Sequence, residues 1–138
     1  MTFLDTNILV YSVDGKNPAK QVCARGVVID AVRGGRYLIS SQVLNEFSNV
    51  ALMRLQMTTD EVRRFVLMFN RINLVSLDFK WTERALDIKD AYGIQFYDAL
   101  IVAAAEANGC DEILTEDLND GQVYCGVKAV NPFKACAA

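Results

Sequence analysis

The chain has no histidine among its 138 residues. That absence excludes Ser-His-Asp and Cys-His catalysis and any imidazole general base. Cysteine is sparse and scattered: Cys23, Cys110, Cys125 and Cys136 form no CxxC pair. Without paired thiols or imidazoles, a structural zinc site lacks its ligands. The thiols are expected to be small core hydrophobes or free thiols rather than disulfide partners. Basic charge shows no surplus either, with a net charge of -3 and a pI of about 4.9. Passive binding to nucleic acid through a basic surface is disfavoured. An enzyme whose acidic site is filled by divalent cations is not. No apolar run reaches the length of a membrane span, and the N-terminus lacks the basic-then-apolar layout of a signal peptide. A cytoplasmic protein with no membrane partner is therefore expected. Linkers, repeats and low-complexity tracts are missing, so one domain over residues 1–138 is expected.

What the sequence does contain is an alternation of short apolar strands and longer helical patterns. TFL near the start, YLIS at 37–40, NLVSL at 73–77, EILT at 112–115 and VKAVNP at 127–132 read as strands. Helical patterns lie between them. One starts at Pro18, one is capped by Ser40 or Ser41, one by Thr58 or Thr59, and one runs from Asp78 to a stop at Gly93. Tyr97 to Asn108 forms the most apolar helix, with Gly109 as its stop signal. This alternation predicts an α/β fold, a mainly parallel sheet of four or five strands between helical layers. Ligands in such sheets bind beyond the carboxyl ends of the strands, at the switch point of strand order.

Four carboxylates stand out against that frame. Asp5, in LDTN, follows the first strand, where a turn or helix-cap role competes with a site role. Glu46 projects on or beside the apolar face defined by Val43, Phe47, Val50 and Ala51, and a snorkelling rim position competes there. Asp98 opens the helix YDALIVAAAEANG, where the helix dipole alone favours an acid. Asp117 follows the fourth strand in ILTEDLND, a place that parallels Asp5 more than it suits an acidic surface turn. If the four meet, like charges repel unless protons or a cation intervene. Oxygen ligands without nitrogen or sulfur select Mg²⁺ or Mn²⁺. Such a cluster suits phosphodiester hydrolysis, because one ion activates water without an imidazole and a second, commonly ~3.5–4 Å away, steadies the leaving oxygen.

LDTN at 4–7, NE at 45–46, YDALIVAAA at 97–105 and LTED at 114–117 resemble, in order, the four motifs of the PIN-domain nucleases. The tail GVKAVNPF at 126–133 is similar to the closing strand often seen in the VapC-like toxins of that family. LDTN together with YDALIVAAA is the specific part; neither motif suffices alone. The resemblance implies a PIN-like three-layer α/β/α fold and Mg²⁺- or Mn²⁺-dependent endoribonuclease activity, with one or two ions. It implies Asp5, Glu46, Asp98 and Asp117 as the catalytic and metal-binding quartet, with Asn7 and Thr115 as polar supports. It further implies RNA as substrate, a small antitoxin protein as partner, and a homodimer.

Around this quartet, Glu116 and Asp120 fit either a second ion or, better, solvent. The segment TTDEVRRFVLMFNRINLV carries more apolar surface than one stripe needs, which fits a partner helix or the core equally. Arg63, Arg64 and Arg71 fit RNA phosphate or a solvated face. Two other readings compete. A stand-alone structure-specific nuclease would act on RNA or DNA outside any toxin pair. A non-catalytic receiver-like module would need paired acids after its first strand and a lysine after its last, whereas only Asp5 follows the first and Lys128 lies within a strand.

Overall fold

A computed structural model describes residues 1–136. The last two residues of the domain expected over 1–138 lie outside the described residues. The apolar runs form β1 (Thr2–Leu4), β2 (Tyr37–Ser40), β3 (Asn73–Val75), β4 (Glu112–Leu114), β5 (Val123–Tyr124) and β6 (Val127–Val130). Between and after them lie α1 (Thr6–Val13), α2 (Pro18–Val32), α3 (Ser41–Met53), α4 (Thr59–Phe69), α5 (Phe79–Tyr92), α6 (Phe96–Ala107) and α7 (Pro132–Cys136). Polar residues fix the helix starts as the sequence suggests. The Ser40 hydroxyl accepts from the Val43 amide, and Thr58 forms a reciprocal capping box with Glu61. Gly93 ends α5 in the left-handed region, with φ 66, where a β-carbon would be strained.

The strands form one sheet in the order β3-β2-β1-β4-β6-β5, parallel except for the β5–β6 hairpin. The chain steps outward from β1 to β2 to β3, then returns across the sheet to β4. Right-handed crossovers put helices of the outward steps on one face and those of the return on the other. Accordingly α1, α2, α3, α4 and α7 pack among themselves, while α5 pairs with α6. The three-layer α/β/α arrangement is thus as expected. The sheet gains a sixth, two-residue strand, β5, because Cys125 (φ 52) and Gly126 (φ 80) turn the chain sharply into β6.

The core fills both spaces between sheet and helices. Phe3, Leu4, Ile39 and Ile113 of the strands are fully buried with Ile8, Leu9, Val43 and Phe47 of the helices. Every residue of α6 from Ala99 to Ala105 is buried. A helix apolar on all sides has to be enclosed, and the alanines allow close approach to β4, β6 and α5. The apolar surplus of α4 goes largely to this chain: Phe69 meets Phe47 edge-on at 4.9 Å, and Phe65 stacks on Phe69 at 6.2 Å.

One expectation is corrected. Cys23 and Cys136 are joined as a disulfide, with Cα atoms 6.1 Å apart, while Cys110 and Cys125 are free. The short α7 folds back on α2 and brings together two residues 113 positions apart. No local spacing could have announced that pairing.

Candidate metal centre

Strand order reverses between β1 and β4, so the loops leaving these neighbours part and open a crevice at their carboxyl ends. Register sets what lines it. Leu4 pairs with Leu114, so the next residues along are Asp5 and Thr115. The Asp5 amide donates to the Leu114 carbonyl at 3.1 Å, continuing the ladder by one bond.

Asp5 serves two roles. One carboxylate oxygen, Oδ1, accepts from the Thr6 amide at 2.7 Å and caps α1, so the bland role is real. The other, Oδ2, accepts from the Thr115 hydroxyl at 2.7 Å and from the Asn7 amide group at 3.5 Å. Thr115, only 1% exposed, also accepts from the Asp117 amide at 3.0 Å. Asn7 further donates to Asp117 Oδ2 at 3.2 Å. The two expected polar supports therefore tie Asp5 to the turn that carries Asp117.

Asp98 approaches from the other face. It lies in the first turn of α6, whose N-cap residue Gln95 makes no side-chain capping bond. One carboxylate oxygen from each of Asp5, Asp98 and Asp117 lies within 4.8 Å of the others. Glu46 stands outside this tight trio but lines the same cavity, of about 540 Å³, with Thr6, Gln42, Tyr97 and the three aspartates. Its carboxylate is already engaged: Oε2 accepts from the Thr6 hydroxyl at 3.1 Å and Oε1 from the Gln42 amide group at 2.6 Å.

Burial raises the proton affinity of Asp5 and Asp98. Burial pushes the Asp5 carboxyl up to about 7, and Asp117 and Asp98 add to the rise while Thr115 and Thr6 oppose it. Burial also pushes Asp98 up to about 6, with Asp117 and Glu46 contributing. The cluster thus holds its full negative charge reluctantly. A divalent cation fits it: the donors are all carboxylate oxygens, the ligand type that Mg²⁺ and Mn²⁺ prefer, and they converge from three separate segments.

Glu116 and Asp120 are drawn elsewhere. Glu116 accepts from the Tyr11 hydroxyl at 2.6 Å and pairs with Lys20 at 2.7 Å. Asp120 accepts from the Asn131 amide at 2.8 Å and faces Lys134 at 3.5 Å. Arg63, Arg64 and Arg71 are exposed on or just beyond α4 and line no part of the acidic cavity. A residue lining this cavity that the sequence did not single out is Gln42. It is 5% exposed and donates to both Glu46 and the Tyr97 carbonyl, the latter at 3.2 Å. Its signal was its place four residues before Glu46 on one helix face.

The PIN domain family model matches residues 2–122, and the chain belongs to that family. No match is found among curated protein sequences. Solved structures share the fold. A toxin–antitoxin complex from Klebsiella pneumoniae matches at 20% identity and TM-score 0.68, covering 96% of this chain and 98% of that one. DNA-bound VapBC from Salmonella typhimurium matches at 18% identity and TM-score 0.68, covering 95% and 97%. VapC20 of Mycobacterium tuberculosis, a toxin that cleaves the sarcin-ricin loop, matches at 14% identity and TM-score 0.64, covering 82% and 87%.

Proposed function

We propose that this chain is a Mg²⁺- or Mn²⁺-dependent endoribonuclease, the VapC-like toxin of a toxin–antitoxin pair. The observation that carries the proposal is the meeting of Asp5, Asp98 and Asp117 within 4.8 Å at the switch point of the sheet. Membership of the PIN-domain family supports a nuclease, and likeness to a toxin that cleaves an RNA loop favours RNA. Asp5, Asp98 and Asp117 hold the ion, Glu46 completes the shell or serves a second ion, and Asn7 and Thr115 orient the ligands. When bound, the cation neutralises charge at the scissile phosphate and makes water a competent nucleophile. The whole chain acts as one cytoplasmic domain, pairs as a homodimer, and is restrained by a small antitoxin.

The test is cleavage of single-stranded RNA by the purified protein with Mg²⁺, with Mn²⁺ and with chelator, beside single-stranded and flap DNA. Metal-dependent RNA cleavage that Asp98→Asn abolishes is expected. Cleavage of DNA flaps in preference to RNA would point to a structure-specific nuclease, and undiminished cleavage by Asp98→Asn would remove the metal assignment.

A further inference from the structure

An acidic centre repels the polyanion it is meant to cut, so the placing of nearby unpaired cations decides where a strand can lie. One such path leaves the cavity. A groove of about 220 Å³ shares Thr6, Glu46 and Asp117 with the acidic cavity, passes Glu116, whose charge Lys20 meets, and runs between α1 and α3 to Arg54. Arg54 also lines the next groove, of about 440 Å³, with Lys16, Gln56 and one acid, Asp14, which accepts from the Lys16 backbone amide at 3.0 Å. The wall is one face of α3: Glu46, Val50 and Arg54 recur every four residues, and eight residues of helix carry Arg54 roughly 12 Å beyond Glu46. Both cations are exposed, and among the described residues neither side chain is in an ion pair. Lys20, the other cation near this wall, is committed to Glu116. Among the described residues no cation lines the opposite end of the cavity, walled by Leu77, Gln95 and Tyr97, and Lys89, just beyond Gln95, is held by the Ile94 carbonyl at 3.4 Å. Gln56, which lines the second groove, occupies the left-handed region at φ 53.

We infer that single-stranded RNA leaves the acidic centre along the α1–α3 groove, with Arg54 and then Lys16 binding its backbone phosphates. This rests on the nuclease reading above. Fluorescence anisotropy tests it with a labelled single-stranded RNA of about twelve nucleotides, using the full-length Asp98→Asn protein in Mg²⁺ across a KCl series. Adding Arg54→Ala is expected to weaken binding about five- to tenfold and to reduce the salt slope by roughly 0.7; adding Lys16→Ala as well reduces it by about the same again. Lys128, level with Glu112 at the far end of β4, is the control, and Lys128→Ala leaves both quantities unchanged. An unaltered slope in Arg54→Ala, an equal loss in Lys128→Ala, or no RNA binding at all overturns the inference. So does Arg54-dependent binding of an acidic peptide in preference to RNA. Absence of RNA cleavage by the wild type with these binding differences intact would sink the nuclease reading and leave the groove standing.

Discussion

The Thr115 hydroxyl donates to Asp5 Oδ2 at 2.7 Å, joining the ends of β1 and β4 across 110 residues of sequence. The Thr115 hydroxyl oxygen also accepts from the Asp117 amide, so one buried threonine sets the spacing of two of the clustered carboxylates. Thr115→Val keeps the shape and removes both bonds. Loss of a buried hydrogen bond costs about 1–3 kcal/mol, and loss of a group that orients a ligand weakens metal binding by roughly 10–100-fold. Thr115→Ser is expected to restore both. Thermal melts and Mn²⁺ titration check this, and a valine variant with wild-type metal affinity would show that Thr115 is only packing.

Stability of the metal-free protein is expected to fall with rising pH. Asp5 binds its proton more tightly when folded, its value moving from 3.8 to about 7, and Asp98 moves the same way to about 6. Where folding raises a carboxyl's proton affinity, the folded state is favoured while the group is protonated. The contribution is therefore complete below about pH 4 and is lost as pH climbs through about 6 and 7. Mg²⁺ binds the charged form, so it should raise the melting temperature strongly near pH 8 and little near pH 4.5. Melting curves in chelator and in Mg²⁺ measure it; a Mg²⁺ effect equal at both pH values would contradict the electrostatic account.

Gln42 clamps Glu46 and the first turn of α6 together. Gln42→Met fills the same space without donors. Cleavage is expected to fall about tenfold through kcat with KM little changed, since the ligand shell loosens while the RNA path is intact. Steady-state kinetics decide; a rise in KM alone would assign Gln42 to substrate binding instead.

Much of this site was legible because strand ends and helix first turns are readable. LDTN and LTED mark where β1 and β4 stop, and parallel pairing then has to bring Asp5 and Asp117 to one edge. Asp98 was legible from the alanine-rich helix that follows it, which packs too closely on the sheet to point elsewhere. Glu46 was legible as an inward-leaning acid, but its bonds to Thr6 and Gln42 depend on the crossing of α1 and α3. The β5–β6 hairpin escaped because its turn is Cys125-Gly126, and cysteine is a poor marker for a position with positive φ. The Cys23–Cys136 bond escaped because α7 is five residues long and has no periodicity to read.

The central claim is that these carboxylates form one cation site. Manganese titration followed by electron paramagnetic resonance near pH 7.5 tests it directly, with wild type, Asp5→Asn and Asp98→Asn compared at equal concentration. The account predicts saturable binding by the wild type, weakened at least about tenfold in either variant. Equal binding by all three proteins, or no saturable binding by any, would contradict it.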